Sequence, residues 1–260
     1  FAISGSHVVV LAGIVIVGLM ALNISRTRWF YALGPIMILF TAATGMEPSA
    51  VRACIMALVY WGAVPLKRRP DIFSALGLAA ILILAWDPSD LANLGFILSF
   101  TTVLGLAILF EPLSQRIMPP PRDPLALPGP IPAWIRARDA CLKLVVSSLA
   151  AWLVSAPLTA YYFNTFSPVA LAGNLIAIPL AFMIMLTGCL SLLAGVLWLW
   201  PAMVLNHANA VFSDLLAWSM RWFAALPGGH WEVASVPVWL IAIYFVFIGL
   251  LARKLVVKMS

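Results

Sequence analysis

Residues 168–200 read PVALAGNLIAIPLAFMIMLTGCLSLLAGVLWLW, a run with no Asp, Glu, Lys, Arg or His anywhere in it. In water such a segment would have to be hidden by the rest of the chain, and the rest is no more polar. Hydrophobic residues make up 64% of the 260 and charged residues 9%, against roughly 45–50% and about 25% in a soluble domain. Apolar blocks of about 17 to 25 residues recur along the sequence, the length that crosses roughly 30 Å of hydrocarbon at 1.5 Å per residue. Helices satisfy their own backbone groups, and none of these blocks alternates polar with apolar as a barrel strand would. The expected fold is all-α, a polytopic transmembrane helical bundle with about nine spans and one amphipathic or broken helix region.

The nine expected spans are His7–Leu22, Trp29–Thr44, Ser49–Leu66, Ile72–Trp86, Leu91–Phe110, Ala140–Tyr162, Pro168–Leu197, Ala202–Leu226 and Val236–Ala252. Residues 168–200 are too long for one straight span and contain Pro179 and Gly188, so a broken or re-entrant helix and a tilted one both remain open. Residues 111–139 carry eight prolines between Pro112 and Pro132. They are expected to form a Pro-rich cytoplasmic loop ending in an interfacial helix anchored by Trp134.

The net charge of +6 matters through its distribution. Arg26 and Arg28, then Lys67, Arg68 and Arg69, then Arg116, Arg122, Arg136 and Arg138, then Arg253, Lys254 and Lys258 mark alternate loops. Glu47, Asp87, Asp90 and Glu232 mark the others. Because cations collect on the cytoplasmic side, the amino terminus is expected outside and the carboxyl terminus inside.

Catalytic and metal chemistry find no foothold. Cys54, Cys141 and Cys189 lack CxxC spacing, and His7, His207 and His230 lack metal-ligand spacing. A P-loop, an HExxH pair and paired intramembrane carboxylates are all missing from the sequence, as is any internal repeat. The expectation is therefore no enzyme, no metal and no cofactor in this segment. Starting at Phe1, it reads as part of a longer protein.

Polar groups inside apolar blocks cost a few kcal/mol each unless paired or wetted, so they point to function. Four places stand out. Ser4, Gly5 and His7 sit at the outer mouth of the first span, either as a helix cap with an interfacial histidine or as part of a path. Pro48 suits a first helical position, which puts Ser49 and Arg52 on one face a turn inside the boundary. Arg52 either snorkels outward or pairs with Glu47, or it lines a route for an anionic substrate. Asn93, Ser99, Thr101 and Thr102 make the fifth span an interior one, with packing a sufficient role for the hydroxyls. From Asn206 to Leu226 the polar residues Asn206, Asn209, Ser213, Asp214 and Arg221 recur at helical spacing opposite Val211, Phe212, Leu215, Trp218 and Trp222. That helix either spans, as the charge topology requires, or lies in the interface plane.

Five short runs, in order, resemble the competence domain of the ComEC DNA-internalisation family. They are Phe1-Ala2-Ile3-Ser4-Gly5-Ser6-His7, Pro48-Ser49-Ala50-Val51-Arg52-Ala53, Gly95-Phe96-Ile97-Leu98-Ser99-Phe100 with Val103-Leu104-Gly105-Leu106, Phe163-Asn164-Thr165-Phe166-Ser167-Pro168, and Asn174-Leu175-Ile176-Ala177-Ile178-Pro179. The last third of the chain carries no such run, and Ile97 stands where the family commonly has glutamine. The resemblance implies a multi-pass channel in the bacterial inner membrane that admits single-stranded transforming DNA. It also implies an extracellular DNA-delivery protein and a cytosolic ATPase or helicase as partners, beside the lipid bilayer. An OB-like and a metallo-β-lactamase-like domain commonly accompany the family's competence domain. Candidates for the DNA path are Ser4, Gly5, His7, Ser49, Arg52, Asn93, Ser99, Asn174, Asn209 and Arg221. A small-solute transporter, with its site near Pro179, and a polytopic membrane enzyme are the rival readings.

Overall fold

Helix boundaries follow from ordinary start signals. Pro48 opens the third helix at its first position, where a missing N–H costs nothing. Asp71 caps the fourth, accepting from the Ser74 N–H at 2.8 Å and from its hydroxyl at 2.6 Å. The computed structural model describes residues 5–119, 132–226, 228–229, 231–233 and 236–257. Among them are nine α-helices: α1 (Gly5–Ala21), α2 (Arg26–Ala43), α3 (Pro48–Gly62), α4 (Ile72–Trp86), α5 (Leu94–Ile117), α6 (Ala133–Phe163), α7 (Val169–Leu197), α8 (Leu199–Ala225) and α9 (Val238–Val257). A short 3-10 turn, Pro88–Ala92, links α4 to α5.

Each expected block is a helix, but the count of about nine spans is not supported. Among the described residues three helices are long and apolar enough to cross a membrane, over Leu94–Ile117, Ala133–Phe163 and Val169–Val196. The reason is length and charge. At 1.5 Å per residue the 15-residue helices α3 and α4 reach about 22 Å, short of roughly 30 Å of hydrocarbon. Helix α2 spends its first turn on Arg26 and Arg28, and α8 carries its polar stripe. Residues 168–200 resolve into one helix that runs unbroken through Pro179, followed by the start of α8. The Pro-rich segment is shorter than expected, because α5 continues past Pro112 to Ile117 and α6 opens at Ala133.

The chain divides into two compact units, residues 1–100 with 178–218, and residues 101–177 with 219–260. In the first, α3 packs against α1, α2 and α4 around Val8, Leu33, Met37, Ala50 and Cys54, all buried. Trp29 joins that core, its indole N–H donating to the Ile24 carbonyl at 2.9 Å. In the second, α6 meets α5 at Leu109, Ala150 and Val154, with Phe245 and Ile248 of α9 against them. Gly105 permits that approach, since a Cβ there would overlap the Val154 methyls. The Tyr244 hydroxyl of α9 donates to the Leu153 carbonyl at 2.8 Å.

A clasp closes the second unit. After α6 ends at Asn164 in the left-handed region (φ 51°), β1 (Thr165–Phe166) pairs antiparallel with β2 (Trp231–Glu232). The Ser167 hydroxyl donates to the Gly229 carbonyl at 2.9 Å, and the Trp152 indole donates to the Ser167 carbonyl at 2.9 Å. The run Phe163–Pro168 is thus a structural latch. Large apolar side chains such as Leu192, Val196, Trp198 and Trp200 lie exposed on α7 and at the start of α8. Such unburied surface, with three crossing-length helices, marks a membrane protein.

Candidate functional site: a buried arginine where helices begin

Four of the expected site residues, Gly5, Ser49, Arg52 and Asn93, meet in one corner of the first unit. Gly5 at the start of α1 lies against α3, where a Cβ would stand 3.0 Å from the Ser49 carbonyl oxygen and 3.2 Å from the Ala53 Cβ. One turn into α3, Arg52 is 4% exposed. Its Nη2 reaches Gly95 at the start of α5, so closely that a Cβ on Gly95 would stand 2.7 Å away. The Asn93 side-chain oxygen crowds the same spot, accepting from the Gly95 N–H at 2.9 Å, while its amide donates to Asp90 at 3.2 Å. Beneath, buried Phe96 stacks on Phe100 at 4.2 Å.

This corner is electropositive. Helices α3 and α5 both begin here, and a helix start carries roughly half a positive charge. Arg52 adds a full charge. Its Nε and Nη1 are buried with no hydrogen-bond partner. Asp90 acts on it electrostatically, but among the described residues Arg52 forms no ion pair with Asp90 or with Glu47. Neither snorkelling nor Glu47 pairing therefore accounts for it. A buried guanidinium with idle donors is expensive and suited to a ligand that brings lone pairs and negative charge.

The remaining candidates fall elsewhere. His7 on α1 and Ser99 on α5 are half-buried in the first unit, whereas Asn174 is half-buried on α7 in the second. Ser4 and His230 lie outside the described residues. Asn209 serves a structural seam between α7 and α8: its amide donates to the Ile184 carbonyl at 3.0 Å, and Asn206 bonds Ser191 at 2.8 Å. Arg221 is exposed on α8 in the second unit. No group of three or more His, Cys, Asp or Glu arranged for a metal occurs among the described residues.

Sequence reasoning singled out Arg52 but treated Asp90 as an outer-loop charge and Gly95 only as part of a motif. The signal was local: Asp90, Asn93 and Gly95 form a hydrogen-bonded chain whose spacing fits the first turn of α5. Outside the membrane segments, Asp71 and Asp87 are held below the usual carboxylate range. The hydroxyls of Ser74 and Ser89 are the first cause and their N–H groups the second.

Among the runs that carried the resemblance, Pro48–Ala53 and Gly95 help build this corner, and Phe163–Pro168 helps build the clasp. Comparison with known proteins extends the match to the last third of the chain. The family model described as Competence protein matches residues 1–258. ComE operon protein 3 of Bacillus subtilis (strain 168) is 29% identical over 196 residues, covering 75% of this chain and 22% of that protein. The chain therefore spans about a fifth of the length of the curated relative it matches. No solved structure matches. Matched from end to end, the chain belongs to the competence protein family.

Proposed function

We propose that this chain forms the membrane conduit of a DNA-uptake protein, passing single-stranded transforming DNA across the bacterial inner membrane during natural competence. The observation that carries the reading is the buried Arg52 guanidinium, with two idle nitrogens, at the starts of α3 and α5. A polyanion needs such cations to replace the counterions and water it sheds on entering an apolar slab. A phosphodiester offers the acceptor geometry a guanidinium fork prefers. Membership of the competence protein family supports the same substrate class.

In this reading Gly5, His7, Ser49, Asn93 and Ser99 belong to the entry side, with Arg52 as the first phosphate contact. The chain is multi-pass, amino terminus outside, with the three long apolar helices as its spans. The conduit is passive. A delivery protein outside and an ATPase or helicase in the cytosol supply strand and force, and cleavage of the incoming DNA is left to other domains.

The experiment is transformation of cells lacking the full-length gene, with labelled DNA followed into a nuclease-protected state outside the inner membrane. Loss of transformants while protected DNA accumulates is the expected result. Unchanged transformation in otherwise competent cells would remove the reading.

A further inference from the structure

A groove of about 580 Å³ opens between α2, α3 and α4 at the end opposite the Arg52 corner of α3, and neither the conduit nor the core uses it. Its walls are Phe30 and Tyr31 of α2, Leu58 and Val59 of α3, and Ala75 and Leu78 of α4. Arg68 and Arg69 stand among its lining residues. The backbone puts them there: Lys67 takes the left-handed conformation (φ 56°), and the Arg68 N–H turns back to the Ala63 carbonyl at 3.0 Å. Asp71 also lines the groove, but its carboxylate is engaged by Ser74. Among the described residues neither arginine has an ion-pair partner. The apolar wall is exposed as well, with Tyr31 at 69% and Leu78 at 48%.

We infer that this groove binds an anionic phospholipid, its headgroup phosphate on Arg68 and Arg69 and an acyl chain against Tyr31, Val59 and Leu78. Two cations without an ion-pair partner among the described residues, beside a largely apolar wall, match a molecule that is anionic at one end and aliphatic along its length. Phospholipid fits better than a nucleic acid strand, which would bring one charge per nucleotide along the whole apolar wall. Lys67, though adjacent and exposed, is not among the lining residues. The site therefore differs from a general basic loop, in which all three cations would count alike. It stands whether or not the chain conducts DNA.

The test uses the full-length protein, purified in detergent and titrated with phosphatidylglycerol or phosphatidylcholine, bound lipid being read by native mass spectrometry. Phosphatidylglycerol is expected to be retained selectively. Arg68→Gln or Arg69→Gln should each weaken it about fivefold, and the double variant about thirtyfold, the worth of one and two lipid-facing cations. Lys67→Gln should leave retention unchanged. If the double variant is not recovered folded, the single variants carry the same comparison. Equal retention of both lipids, or an equal effect of Lys67→Gln, would overturn the site. Displacement of phosphatidylglycerol by a single-stranded oligonucleotide at matched concentration would do so too, reassigning the arginines to DNA.

Discussion

Two polar insertions in the first unit are handled in opposite ways. In the seam between α7 and α8, Ser191, Asn206 and Asn209 are satisfied by each other and by the Ala202 and Ile184 carbonyls. The Ser191 hydroxyl and the Asn209 amide both donate within the protein, and the geometry holds two helices together. Around Arg52 the protein does the reverse: it buries a charge, brings the starts of α3 and α5 to it, and leaves two of its nitrogens without partners. Burial and polarity alone do not separate glue from site. Satisfaction does, because a closed network has nothing left to offer a ligand, whereas an open one retains binding capacity at a cost to stability.

That contrast can be broken first at Arg52. Arg52→Met keeps most of the volume and removes an unpaired buried charge, so thermal stability in detergent should rise, by about 1 kcal/mol or more. Transformation should nevertheless fall by roughly one to two orders of magnitude, the worth of a lost charge-assisted hydrogen bond. Arg52→Lys, which keeps the charge without the planar fork, should recover only part of it.

The two close glycines sharpen the point. Gly105→Ala drives a Cβ into the Val154 methyls in a packed core and should destabilise by about 1–3 kcal/mol. Gly95→Ala meets the tip of a flexible side chain instead, so it should cost less stability than Gly105→Ala while displacing the guanidinium and lowering transformation. Melting curves and transformation frequencies measured on the same pair of variants check both halves.

Asn209→Ala removes a satisfied interhelical hydrogen bond and should cost about 0.6 kcal/mol, with transformation unchanged. A parallel loss of transformation would show that the seam is part of the route after all.

Much of this was legible in the sequence. The nine helices among the described residues overlap the expected apolar blocks, because apolar runs bounded by Pro, Asp and Gly have few alternatives. Span number was not legible, since apolar composition says nothing of where a helix stops. Val64 and Pro65 are apolar, yet α3 ends at Gly62 and the chain turns there. Arg52 stood out because an arginine in an apolar block is rare. Asp90 did not, because it looks like an ordinary loop charge until α5 begins beside α3, whereas Asn93 was already legible as a polar residue of the fifth span. On α8 periodicity identified the polar face, but not that Asn206 and Asn209 on it would bond to α7.

The smallest effect concerns the caps. The Asp71 carboxyl is held below its ordinary pKa by Ser74, so its contribution is present above about pH 4 and lost as pH falls through the lower folded value. Ser74→Ala should remove that slice of the acid dependence and leave melting near neutral pH lowered only slightly.

The most direct test of the central claim is the fate of labelled DNA in cells carrying Arg52→Met at wild-type membrane abundance. Accumulation of nuclease-protected DNA outside the inner membrane, with little reaching the cytosol, is the predicted result. Normal delivery of label to the cytosol would contradict it and leave Arg52 as a buried charge without a role in transport.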